Sequence, residues 1–412
     1  MQTNSTAVLL MGLMSACGEE EEEQTSPRQM NDLKVPFHNR SLNCWLHLLS
    51  KESPLEVHGD SANLAVRVLV AMVYLVVCVL GLVGNLLALF LLHSHRRGHH
   101  SSIDCFVMSL ALTDLQFILT LPFWAVDTVL DFRWPFGRVM CKIVSSVTTL
   151  NMYASVFFLT AMSVTRYHTL STSLKMGSPT RATTRAKWAS LAIWMVSVVA
   201  TLPHALYSTT VQVSTDDELC LVRFSESDSG HWDPQVLLGL YQTQKVLLGF
   251  IVPLVVISVC YLLLLRFILN QRSVCSAVEG GVAEKSESER GRDRRRSKVT
   301  RSVTIVVLSF FICWLPNQAL TLWGVLIKFD LVPFSKAFYN AQAYGFPLTV
   351  CLAHANSCLN PVLYCLIRQE YRAGLKELLV RISHSIRNVL TLALRGRKVE
   401  GHPTSQAMMH RQ

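Results

Sequence analysis

The chain has 412 residues, 50% of them apolar and only 16% charged, with a formal net charge of +10. Soluble domains carry roughly 25% charged residues and interleave apolar ones at amphipathic spacing. Here the apolar residues come in long blocks parted by short polar stretches, which excludes a soluble domain and points to lipid. No block alternates like a barrel strand, so an outer-membrane barrel is excluded in favour of helices that satisfy their own backbone groups.

Residues 1–64 read as an N-terminal tail. Its short apolar run 7–14, followed by Ser15, Ala16 and Cys17, resembles a signal peptide or a lipoprotein box. The run lacks a basic leader and precedes acidic residues 19–23, which favours an uncleaved tail, with the first true span directing insertion. Asn4 and Asn39 each begin a glycosylation sequon, usable only on a lumenal face.

Seven blocks follow, each long enough to cross a bilayer at about 20 residues: 65–93, 103–130, 139–163, 186–207, 236–268, 303–327 and 334–366. The predicted fold is therefore an all-α membrane protein, a seven-transmembrane helix bundle over 65–366. A short amphipathic helix at 367–380 lies on the membrane surface, and a cytoplasmic tail occupies 381–412. Lys and Arg collect after the first, third, fifth and seventh blocks, most densely at 290–298, which places those segments inside the cell and the N-terminus outside. The positive charge is then an inner-leaflet feature that meets acidic membrane lipid, and nucleic acid is not an expected partner.

Charges at bilayer depth are costly and default to function. In the second block Asp114 stands amid apolar residues, and Asn151 and Ser155 of the third with Asn356 and Asn360 of the seventh can converge on it. One carboxylate with neutral oxygens suits a sodium ion; the alternative is a protonated, hydrogen-bonded Asp that joins helices. No other cofactor is implied. Near the outer end of the same block, Asp127 and Asp131 are four residues apart and are expected to share one helix face, with Trp124 one turn below. Two carboxylates so placed repel unless a cation joins them. Glu218, beside Asp216 and Asp217, can extend this acidic rim, although solvated loop acids often do nothing.

In the third block Cys141 lies at the outer end, and Cys220 follows in the loop after the fourth. Both sit in an oxidising compartment, so either a disulfide or two free thiols can stand there, the first being expected. Cys17 and Cys44 can form a second bridge that sequence alone does not decide. At the inner end, Arg166, between Thr165 and Tyr167, can snorkel to phosphates or hydrogen-bond a partner entering from inside.

The fifth block carries Lys245, roughly 10 Å below its outer end at 1.5 Å per residue. It can take an anionic ligand group or pair with Asp127. Pro316 kinks the sixth block, with Trp314 just inside the bend, and the seventh ends Asn360-Pro361-Val362-Leu363-Tyr364.

Together these features resemble the rhodopsin-like (class A) G-protein-coupled receptors. The matching residues are Gly84-Asn85, 110–115 around Asp114, Thr165-Arg166-Tyr167, Trp194, Pro253 and Tyr261, Cys313-Trp314-Leu315-Pro316, and Asn360-Pro361-Val362-Leu363-Tyr364. The resemblance implies that Arg166 meets the C-terminal helix of a heterotrimeric G protein when span six swings outward, and that Trp314 and Pro316 couple ligand to that swing. Thr165 is a departure: the family usually has an acid there, whose salt bridge restrains the arginine, so a weaker inactive-state lock is expected.

Segments 124–137, 151–168, 219–224 and 244–250 are similar to the subgroup of receptors for relaxin-3 and insulin-like peptide 5, most of all the relaxin-3 type, with Asp127 where a longer Glu is usual. That likeness implies a two-chain, insulin-like peptide hormone and an inhibitory G protein that lowers cyclic AMP, at the plasma membrane. Hormone arginines would meet Asp127 and Asp131, the terminal tryptophan would meet Trp124, and the C-terminal carboxylate would meet Lys245. Ser383, Ser385, Thr391, Thr404 and Ser405 offer sites for phosphorylation and an arrestin-like partner.

Other classes fit poorly. A retinal photoreceptor needs a lysine deep in the seventh span, which has none past Lys336 at its outer edge, and His354 lies about where that lysine would sit. Internal repeats or a line of pore charges, expected of a transporter or channel, are not seen, and no catalytic motif marks an enzyme. The serious rival is another peptide receptor of this class, chemokine- or angiotensin-like.

Overall fold

The computed structural model describes residues 59–94, 102–171, 179–212, 218–224, 234–277, 287–329, 331–333, 335–367, 372–377, and positions 380, 381, 383, 384 and 387. Asn4, Asn39, Cys17, Cys44, Asp216 and Asp217 lie outside the described residues, as do the side chains of Tyr364 and of 290–298.

Helix α1 is Gly59–Ser94. The next apolar block is broken into α2, Ser102–Ile118, and α3, Leu121–Val129. Pro122, at the start of α3, has no N–H to continue the ladder; the Thr120 hydroxyl donates to the Phe117 carbonyl at 2.7 Å across the break. Helix α4 spans Gly137–Ser171 and α5 spans Pro179–Tyr207. Strands β1, Ser208–Gln212, and β2, Glu218–Val222, form an antiparallel hairpin with Thr210 opposite Cys220. The hairpin departs from the all-helical expectation. It lies in a loop, where pairing between strands satisfies backbone groups that have no helix.

Helix α6, Pro234–Val246, continues through a π turn at Leu247–Ile251 into α7, Val252–Ala277. Helix α8 is Glu287–Lys328 and contains Pro316. Then come α9, Lys336–Asn340, a second π turn at Ala341–Gly345 and α10, Phe346–Ile367, which contains Pro361. Ser335 caps α9 by accepting from the Phe338 N–H at 3.2 Å. Residues 372–377 are also helical.

Among the described residues, 6 helical stretches are long and apolar enough to cross a membrane: Leu64–Ser94, Ser102–Val129, Gly137–Thr169, Arg181–Tyr207, Val236–Phe267 and Val303–Lys328. Their packing is inverted relative to a soluble protein. Leu69, Val79, Leu80 and Val83 on α1, Met195 and Val199 on α5, and Leu262 on α7 face outward, while Asn85, Asp114, Ser155 and Asn360 are buried within. Helix α4 is the central element, packed against α2, α5, α7, α8 and both strands, and α10 packs between α8 and α1. The core around α4 and α8 is built from Met152, Tyr153, Phe158, Phe310 and Trp314.

Candidate ligand pocket and signalling core

At one end of the bundle Cys141 and Cys220 are joined as a disulfide, with Cα atoms 5.5 Å apart, which pins β2 to the start of α4. The Trp134 N–H donates to the Glu218 carbonyl at 2.7 Å, and its indole N–H donates to the Gly137 carbonyl at 2.9 Å. Trp134 also sits 5.9 Å from the Trp124 ring and 5.1 Å from Phe136. Trp124 in turn donates to the Thr148 hydroxyl at 3.1 Å. These contacts hold the end of α3, the start of α4 and the hairpin as one rim. Glu218 is held through its backbone, by the Trp134 N–H and by pairing with Gln212 across the hairpin.

Under this rim lies a cavity of about 400 Å³ whose lining includes Trp124, Asp127, His204, Lys245, Lys328 and Trp314. Asp127 is buried in the α3 wall. Among the described residues no ion pair joins it to Lys245, so a helix-clamping pair between them is not formed. Lys245 is within electrostatic reach of His204 and His354. Lys328 donates to Gln242 Oε1 at 2.8 Å, and His204 Nδ1 hydrogen-bonds the Tyr241 hydroxyl.

Asp131 does not share a helix face with Asp127. Helix α3 ends at Val129, and both Asp131 and Phe132 have left-handed backbones, φ 62° and 64°. The chain turns there because the Phe132 N–H closes back on the Asp127 carbonyl at 2.7 Å, and Asp tolerates the left-handed region better than most residues. Asp131 leaves the cavity wall and pairs with Arg67 of α1 at 2.9 Å, a partner that sequence reasoning missed.

Deeper in the bundle Asp114 is fully buried and accepts from the Asn151 amide at 3.0 Å and the Asn360 amide at 2.9 Å, which brings α2, α4 and α10 together. Asn151 also reaches Ser155 at 3.4 Å, and the Ser357 hydroxyl donates to Asn151 Oδ1 at 3.5 Å. Asn85 of α1 donates to the Ser357 carbonyl at 3.0 Å, which extends the network to a fourth helix. Asn356 is buried nearby, but no hydrogen bond between it and Asp114 is recorded. Above this layer the Trp314 ring lies 5.8 Å from Phe310, nearly parallel, and Phe310 meets Phe311 edge-on at 5.5 Å. The Trp314 indole N–H is buried without a hydrogen-bond partner among the described residues.

The sequence profile described as "7 transmembrane receptor (rhodopsin family)" matches residues 84–364, well over half of the chain. The chain belongs to that rhodopsin family of receptors. Human relaxin-3 receptor 1 is 57% identical over 334 residues, covering 77% of this chain and 70% of the relative. Human relaxin-3 receptor 2 is 46% identical over 314 residues, covering 76% of each. The type-1 angiotensin II receptor B of Xenopus laevis is 32% identical over 320 residues, covering 77% of this chain and 81% of the relative. The protein is thus a multi-pass plasma-membrane receptor and not an enzyme.

At the far end of the receptor from the cavity, Arg166 lies near the C-terminal end of α4 with Tyr167 beside it, and Tyr261 of α7 is within electrostatic reach of Arg166 and close to Ser163 and Thr304. Pro316 sits mid-helix in α8, and Asn317 next to it donates to Thr349 of α10 at 3.4 Å. The loosened turn of α8 thus has a tie to its neighbour.

Proposed function

We propose that this receptor binds a relaxin-3-like or insulin-like two-chain peptide hormone in the cavity and signals through a heterotrimeric inhibitory G protein to lower cyclic AMP. The observation that carries the reading is 57% identity to human relaxin-3 receptor 1 over 77% of the chain. The cavity chemistry supports it. Asp127 on one wall can receive a hormone arginine, Trp124 can stack on the terminal tryptophan, and Lys245 can take the C-terminal carboxylate. Asp131 stands outside that wall and would meet a second arginine at the rim, with Glu218 nearby on the hairpin.

In this reading residues 1–64 are a glycosylated extracellular tail carrying Asn4 and Asn39, and 65–366 are the seven-span bundle. The helical run through α9 and α10 is the seventh crossing, 367–380 lie on membrane lipid, and 381–412 are a cytoplasmic tail that recruits arrestin. Trp314 and Pro316 relay ligand contact to the inner end of α8. Arg166, Tyr167, Tyr261 and Tyr364 form the receiving face for the G protein.

A sodium ion suits the layer around Asp114. The side-chain oxygens of Asn356, Asn360 and Asn85 are buried without hydrogen-bond partners among the described residues, and one carboxylate amid neutral oxygens fits a hard monovalent cation. Asp114, Asn151, Ser155, Asn356 and Asn360 would hold it. The ion would supply the positive charge that keeps Asp114 ionised.

Competition binding on membranes expressing the receptor tests the ligand class. A labelled relaxin-3-like peptide is expected to bind saturably and to be displaced by relaxin-family peptides. Displacement or binding by angiotensin- or chemokine-type peptides alone would assign the cavity to the rival class.

A further inference from the structure

Arg67 stands on the outer part of α1, whose neighbours Val66 and Leu69 are 53% and 64% exposed. Its Nη1 contacts Asp131 Oδ1 at 2.9 Å, with the two side chains 25% and 23% exposed. The recorded contact is a single nitrogen–oxygen approach. Arginine and carboxylate can instead meet through two parallel hydrogen bonds, which is both stronger and more directional. The left-handed turn at Asp131 and Phe132 is what points the carboxylate toward α1 rather than along the α3 wall. Asp127, by contrast, stays within the cavity lining with no ion pair among the described residues. The two acids are therefore in different states before any ligand arrives: one is open, the other already carries a guanidinium.

We propose that Arg67 is an internal competitor for the hormone's arginine. It occupies Asp131 in the ligand-free receptor and yields it only to an incoming guanidinium. The inference rests on the reading that Asp131 receives a hormone arginine. An exchange of guanidinium for guanidinium never leaves the carboxylate bare, and it releases Arg67, which stands three residues past the start of the apolar stretch Leu64–Ser94. A ligand with no cation at that point cannot displace Arg67 and gains nothing from Asp131. The pair thus sets specificity by raising the threshold for weak cationic ligands while permitting one that grips the carboxylate with both nitrogens.

The experiment is competition binding of a relaxin-3-like peptide, and of single-citrulline versions of it, to Arg67→Gln, Arg67→Lys and Asp131→Asn receptors, with surface expression matched by an epitope tag. Citrulline keeps the shape of arginine and removes its charge. Arg67→Gln is expected to tighten the unmodified peptide by about two- to fivefold, the size of a partly exposed ion pair. Arg67→Lys is expected to bind as the native receptor does. The gain should vanish in Arg67→Gln with Asp131→Asn, and for the one citrulline peptide whose lost arginine docks there. If Arg67→Gln weakens or leaves unchanged the binding of the unmodified peptide while Asp131→Asn weakens it, Arg67 is a positioning residue or a bystander and the inference is overturned. If Asp131→Asn itself leaves binding unchanged, the docking of an arginine on Asp131 fails, and the competition fails with it.

Discussion

Gln242 of α6 accepts a hydrogen bond from the Lys328 ammonium of α8 at 2.8 Å, so the two lysines that line the cavity are not equivalent. Lys328 has a neutral oxygen to satisfy it. Lys245, three residues after Gln242 and on the same face of α6, has no such partner among the described residues. The ammonium that gains most from a ligand carboxylate is therefore Lys245.

Replacing Lys245 with Ala is expected to lower the potency of a free-carboxylate hormone by about 10- to 100-fold, the worth of a hydrogen bond between charged groups. Amidating the hormone's C-terminus should cost the same on the native receptor and almost nothing further on Lys245→Ala. Lys328→Ala should cost much less. Dose–response curves for both peptides on the three receptors check this, and additive losses at Lys245 and the carboxylate would break the pairing.

The disulfide between Cys141 and Cys220 closes a loop with a sequence separation of 79 residues and holds the hairpin over the cavity. Its removal by Cys141→Ser with Cys220→Ser is expected to destabilise the receptor by about 2–5 kcal/mol. A thermal-denaturation scan of detergent-solubilised protein should show a lower Tm, and hormone binding should fall because β2 forms part of the cavity lining.

Thr165 cannot make the salt bridge that an acid would offer to Arg166. Its backbone carbonyl accepts from the Thr169 hydroxyl at 2.7 Å, an arrangement internal to α4. Introducing Thr165→Asp should add a restraint of roughly 0.5–1 kcal/mol on the arginine and lower ligand-free signalling by about two- to fivefold. Basal cyclic AMP suppression at matched expression is the readout, and an unchanged baseline would count against the restraint.

Agonist affinity should fall as sodium replaces choline in the buffer, because a cation held beside Asp114 would brace α2, α4 and α10 in the packing seen here. Asp114→Asn removes the charge that binds the ion and should abolish that sodium dependence. A persistent sodium effect in Asp114→Asn would place the ion elsewhere.

Much of this architecture was legible because lipid imposes a simple rule on sequence: apolar blocks of fixed length, with any polar residue inside them demanding a reason. Asp114, Asn151 and Asn360 stood out in that way and do meet in space. The spacing argument broke down where the helix itself stopped. Counting four residues from Asp127 to Asp131 assumed a continuous helix, whereas α3 ends at Val129 and the chain turns left-handed. The stretch Asp131-Phe132-Arg133-Trp134-Pro135 carried the signal, since Pro disfavours helix before it and Asp tolerates the turn. Arg67 was missed because its partner lies far along the chain, at the rim where a charge needs no explanation. The π turns at Leu247–Ile251 and Ala341–Gly345 left no mark in hydropathy, since one extra residue in a turn barely alters an apolar pattern.

The most direct measurement is cyclic AMP in cells expressing this receptor, raised with forskolin and then exposed to a relaxin-3-like peptide. A saturable fall that disappears when inhibitory G proteins are blocked is the predicted result. No response, or a rise in cyclic AMP, at confirmed surface expression would contradict the account.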